Sequence, residues 1–72
     1  MTQAERNGIK LATYRGSLKQ EALARDLKIS TSAVSMYESG KRTPKDKTKQ
    51  ALATYFGTTV EELFYTEQYH NM

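Results

Sequence analysis

Cysteine and tryptophan are absent from this chain, and proline and histidine occur once each. Without cysteine there is neither a disulfide framework nor a thiolate metal site, and one imidazole cannot build a metal cluster, so the usual staples of a very small fold are missing. Long apolar runs are missing too. The 38% of hydrophobic residues is scattered and broken by charge, too sparse for a membrane-spanning helix. The opening Met1-Thr2-Gln3-Ala4-Glu5-Arg6 lacks the basic-then-apolar order of a signal peptide, so a cytoplasmic protein with no membrane partner is expected. At 72 residues the chain leaves no room for a second domain. Folding at this size buries only about 60% of the unfolded surface. Packing alone must hold the fold, which favours a compact all-α bundle.

Basic residues are also missing from one whole stretch. Residues 50–72 contain no Lys or Arg and three acids, a net −3, whereas residues 1–49 hold all eleven bases and five acids, a net +6. Such an asymmetry suits a polyanionic partner, nucleic acid before membrane, because no long basic amphipathic stripe with aromatic anchors accompanies it. A merely soluble charged surface is the bland alternative.

Catalytic groupings are lacking as well. Glu61 and Glu62 are neighbours on a helix and diverge, and His70 stands alone near the end of the chain. No enzyme, metal or cofactor is expected.

What is present reads as five short helices, with no segment alternating at period two. The first runs from about Ala4 to Arg15, with Leu11 and Tyr14 inward and Gly16 as its stop. The second spans Gln20 to Leu27, its face set by Leu23 and Leu27 with the small Ala24 between, and Leu18 folds onto it. Ile29 plugs the following corner, and Ser30 is a good N-cap. The third helix runs from Thr31 to about Ser39 and ends at Gly40, suited to the left-handed C′ position. Thr43-Pro44 reads as an N-cap followed by proline at the first helical position, opening a fourth helix to Phe56 with Thr48, Ala51, Leu52, Tyr55 and Phe56 inward. Thr59-Val60-Glu61-Glu62 has the form of a capping box before a short fifth helix with Leu63 and Phe64 inside.

Two short helices joined by a three- or four-residue corner have the spacing of a helix-turn-helix. With Val34 and Tyr37 inward at 100° per residue, Ser32, Ser35, Met36 and Ser39 point away from the core. That face is small and uncharged, unlike the Glu and Lys of an ordinary solvated helix, and it can enter a major groove without steric or electrostatic penalty.

These residues resemble the lambda-repressor-like, Cro/CI-type (XRE) helix-turn-helix domains. Leu18-Lys19-Gln20-Glu21-Ala22-Leu23-Ala24 is similar to the opening of that family's second helix, and Ser35 to Pro44 is similar to its S-x-x-E-x-G-x-x-x-P signature. Gly57 with Val60 to Leu63 resembles the closing turn and helix, and Gly8, Leu11, Tyr14 and Arg15 resemble the first helix. The resemblance implies a five-helix lambda-repressor-like bundle over residues 1–64, a C-terminal tail over 65–72, and a sequence-specific transcriptional regulator, a repressor, acting on a double-stranded DNA operator.

It also implies roles. Thr31, Ser32, Ser35 and Met36 match positions at the base edges, while Lys19, Gln20, Ser30, Ser39, Lys41 and Arg42 match positions at phosphates. None of the first group offers a bidentate contact worth about 1–3 kcal/mol of discrimination, so direct readout is modest. The implied structural residues are Arg15, paired with Glu38, and Ala24 and Gly40. Lys47 and Lys49 read as a solvated face. Two positions depart from the pattern: Lys28 stands at the corner where glycine is usual, and Lys19 replaces a Ser or Thr N-cap. A weak homodimer, formed on DNA through Phe64, Tyr65 and Tyr69, is expected. The rival is a protein-interaction module of the same fold, such as an antitoxin or an anti-repressor target.

Overall fold

The computed structural model describes residues 1–65. Five helices, and no strand among the described residues, follow in the order α1 (Gln3–Arg15), α2 (Gln20–Leu27), α3 (Thr31–Ser39), α4 (Asp46–Tyr55) and α5 (Val60–Phe64). Leu11, Leu23, Val34, Leu52, Leu63 and Phe64 are the largest fully buried side chains, one or two from every helix, so all five converge on one core. Leu18, Leu27, Ile29, Phe56 and Val60 close its edges.

Local chemistry explains most boundaries. Thr2 and Glu5 form a capping box that starts α1, with Glu5 N–H donating to Thr2 Oγ1 at 3.1 Å and Thr2 N–H donating to Glu5 Oε1 at 2.7 Å. The Thr2 N–H, more than anything else, holds the Glu5 carboxyl below its usual range. Ser30 caps α3 and Thr59 caps α5 through their hydroxyl oxygens. α2 ends on Lys28, whose φ of 60° and ψ of 42° are left-handed, a conformation that costs a residue with a Cβ about 1 kcal/mol.

Two inter-helix approaches depend on glycine. Gly8, in the middle of α1, lies so close to the C-terminal end of α3 that a Cβ there would collide with the Glu38 carbonyl group and the Tyr37 carbonyl oxygen. Gly40, at φ 79°, abuts the Glu5 backbone, where a Cβ would stand 2.7 Å from the Glu5 Cα. The first turn of α1 is thereby seated on the end of α3.

Several expectations need correction. α4 begins at Asp46 rather than at Pro44, and its N-cap is Lys45 with no side-chain hydrogen bond. The φ preset by proline suits extended backbone as well as helix, and the buried Pro44 ring packs in the loop instead of opening a helix. The inward residues of α4 are Leu52 and Ala53, with Thr48 and Phe56 at the margin, whereas Ala51 and Tyr55 are exposed. Tyr55 instead donates its hydroxyl to Asp26 Oδ2 of α2 at 2.6 Å. Tyr14 is 37% exposed and leans on Phe56, ring centroids 6.0 Å apart. Phe64 is 1% exposed and belongs to the core, so it offers no surface to a second copy. Tyr65 is 45% exposed, with its hydroxyl accepting from Lys49 Nζ at 2.7 Å. Tyr69 and most of the tail lie outside the described residues.

Candidate nucleic-acid interface

The core fixes how α3 is turned. Ala33, Val34 and Tyr37 are buried, so Thr31, Ser32, Ser35 and Ser39 are exposed on the opposite side, with Met36 half-buried at its border. Ser30 accepts the Ala33 N–H at 2.9 Å, which uses a lone pair of its hydroxyl and leaves the O–H to donate elsewhere. At the other end Gly40 turns left-handed, and the Lys41 and Arg42 N–H groups return to the Met36 carbonyl at 3.0 and 3.3 Å. The chain is thus wrapped under the helix end while the Lys41 and Arg42 side chains stand exposed.

Beside α3 lies a polar seam. Arg15 donates through Nε to Glu38 Oε2 at 2.6 Å and through Nη2 to Oε1 at 3.0 Å, and its third donor reaches the Leu18 carbonyl at 2.5 Å. This forked pairing raises the Arg15 pKa, with the Glu38 hydrogen bond as its main cause. Gln20 donates Nε2–H to Glu38 Oε1 at 2.8 Å. The carboxylate of Glu38 therefore has both oxygens engaged, and Gln20 is held by one of its two amide hydrogens. Its second N–H remains for another acceptor, and a phosphate oxygen is only an acceptor.

Lys19 precedes α2 in extended backbone without a side-chain cap, leaving a positive charge beside the positive helix end. A nearby phosphate would offset both. The more distant lysines diverge. Lys47 is exposed beside the Leu27–Ile29 corner, whereas Lys49 Nζ lies 5.4 Å from the Phe64 ring centroid and 4.9 Å from that of Tyr65, turned toward the α5 end. Lys49 is therefore engaged with aromatic rings and is not a member of a solvated face.

One feature of the surface carries no sequence signal. Ile9 and Thr13 of α1 line an open groove of about 490 Å³ together with Gln20, Ser35, Glu38 and Ser39. Periodicity assigns inward residues of α1 but says nothing about which outer face borders α3.

A family model described as helix-turn-helix matches residues 11–63 of the 72, and the chain belongs to the Cro/CI-type (XRE) helix-turn-helix family. That family consists of DNA-binding, non-enzymatic domains of transcription regulators. No curated protein and no solved structure matches the chain. Among the described residues no group of three or more His, Cys, Asp or Glu is placed to hold a metal ion, and no helix is long and apolar enough to cross a membrane.

Proposed function

We propose that the protein is a sequence-specific transcriptional repressor that inserts α3 into the major groove of a double-stranded operator. The observation that carries this reading is the Gln20 amide, clamped by Glu38 at the edge of an uncharged serine face with one N–H left to donate. Thr31, Ser32, Ser35 and Met36 face base edges. Lys19, Gln20, Ser30, Ser39, Lys41 and Arg42 take phosphates, fixing register while contributing most of the affinity. Residues 1–64 serve as the DNA-binding domain and 65–72 as a tail, in the cytoplasm. One recognition helix covers too few base pairs for useful specificity, so two copies bind half-sites about 34 Å, or about ten base pairs, apart. Among the described residues Phe64 is buried and only Tyr65 of the expected dimer aromatics is exposed, which favours pairing on the operator over a stable free dimer.

Selection of bound duplexes from a random pool tests the reading and yields half-site sequence and spacing together. Lys41→Ala is expected to weaken all sequences alike and to reduce the slope of log affinity against log salt by about 0.9. A loss confined to one sequence would make Lys41 a base reader. A stable complex with another protein and no measurable DNA affinity would overturn the proposal in favour of an interaction module.

A further inference from the structure

The groove between α1 and α3 continues the proposed DNA-binding face, yet one of its walls belongs to a helix to which that reading gives no part in binding. Ile9 is a large aliphatic residue left 52% exposed there. Thr13, one turn on, donates its hydroxyl to the Ile9 carbonyl at 2.8 Å, so what it brings to the groove is a methyl group and acceptor lone pairs. The opposite wall carries the hydroxyls of Ser35 and Ser39, of which Ser39 donates within its own helix to the Met36 carbonyl at 3.2 Å, and between the walls lie the Gln20 amide and the Glu38 carboxylate, both of whose oxygens are engaged. One side is thus apolar, the other offers the Ser35 O–H beside the open Gln20 N–H, and the single acid is neutralised within the protein.

We propose that this groove seats one sugar–phosphate strand of the bound duplex, with Ile9 of α1 packed against deoxyribose while the open N–H of Gln20 holds a flanking phosphate. The chemistry fits a nucleic-acid strand, which alternates apolar sugar C–H surface with acceptor-only phosphate at short intervals. The one acid of the groove has both oxygens taken by Arg15 and Gln20, so no charged acceptor is left open to the N–H donors of a peptide. The inference rests on the DNA-binding reading and deepens it: α1 becomes a direct contact in addition to a support for α3.

The test is DNA affinity and its salt dependence for the full chain on a selected duplex. Ile9→Asp places a carboxylate against phosphate and is expected to weaken binding about tenfold or more, while Ile9→Lys adds a contact, tightens binding and steepens the salt slope by about 0.9. Ile9→Ala, with no change of charge, is expected to weaken binding about threefold through lost packing alone, a factor of order 0.7 kcal/mol. Equivalent Asp and Lys substitutions at the exposed Thr54 of α4, outside the groove, measure the effect of net charge alone. Melting of each variant by circular dichroism checks that the exposed position leaves the fold intact. Wild-type affinity in Ile9→Asp and Ile9→Lys, with wild type still binding DNA, would overturn this inference and leave the DNA-binding reading standing. Failure of wild type itself to bind any duplex would overturn both. If wild type self-associates and Ile9→Asp abolishes association without changing DNA affinity, the wall is a protein interface and the proposal falls.

Discussion

Where α1 meets α3, the backbones touch through Gly8 and Gly40, and the junction is tied by hydrogen bonds among Arg15, Glu38 and Gln20. Where α1 meets α5, the filling is Leu63 and Phe64, each at most 1% exposed, with polar ties only at the rim: Gln3 Nε2 donates to the Phe64 carbonyl at 3.3 Å and Lys10 Nζ to the Glu62 carbonyl at 2.9 Å. The two junctions do different work. Apolar filling supplies non-directional stability, whereas the polar seam aims Gln20 and fixes the pose of α3, because hydrogen bonds specify direction at a modest net energy. Residues 1–49 carry the net positive charge, most of it in residues 41–49 that follow α3, and the acidic remainder lies toward the α5 end of the sequence.

The largest expected effect breaks the apolar junction. Phe64→Ala should cost about 4 kcal/mol through lost burial and the cavity left behind, measured by urea denaturation. In a chain of this size that consumes most of the stability, so truncation before Phe64 should unfold the domain instead of merely uncoupling a dimer. A mild effect would place Phe64 outside the core.

Breaking the polar junction comes next. The Glu38 and Arg15 side chains are 8% and 19% exposed, so Glu38→Ala leaves a mostly buried guanidinium uncompensated and should cost about 3 kcal/mol. Because it also releases Gln20, it should lower DNA affinity under conditions where the variant remains folded, whereas Phe64→Ala, stabilised by cold or osmolyte, should keep its affinity. Equal affinity losses in the two variants would erase the distinction between the junctions.

Smaller changes sharpen it. Lys28→Gly removes the left-handed strain at the end of α2 and, after allowing for the added freedom of the unfolded chain, should stabilise by about 0.5–1 kcal/mol with no change in the apolar core. An unchanged or lower melting temperature would mean that Lys28 gains something locally from its side chain. The smallest effect concerns pH. The Glu5 carboxyl is held below its reference value of 4.5, so its contribution is present above that value and is lost as the pH falls through the lower folded-state pKa. The stability difference between wild type and Glu5→Gln should therefore shrink on the acid side. A constant difference would show that the carboxylate is not what the cap requires. The raised pKa of Arg15 acts in the other direction: its contribution is present below arginine's ordinary, strongly basic range and is lost only as the pH rises through the still higher folded-state value, so the polar seam should show no arginine-linked titration near neutrality.

Much of the architecture is set by interactions within four residues along the chain, and that part was legible from the residues. Ser30 and Gly40 bound α3 because a hydroxyl cap and a left-handed glycine satisfy the helix's own terminal groups. The charge asymmetry and the spacing of α2 to α3 likewise needed no partner to be read. The Thr2–Glu5 capping box carried a signal of the same local kind and could have been found, placing the start of α1 at Gln3. Tertiary structure decided the rest. The ten-residue α4 has apolar side chains on more than one face, and only its neighbours select Leu52 and Ala53 over Ala51 and Tyr55. Phe64 was legible as an inner residue of a short helix, but not as wholly withdrawn from the surface, because its enclosure depends on α1 and α4 arriving from distant parts of the chain. Gly8 shows the division most plainly: within α1 it is a helix-weakening residue, and its reason lies 30 positions away, at the Glu38 carbonyl that a Cβ would strike.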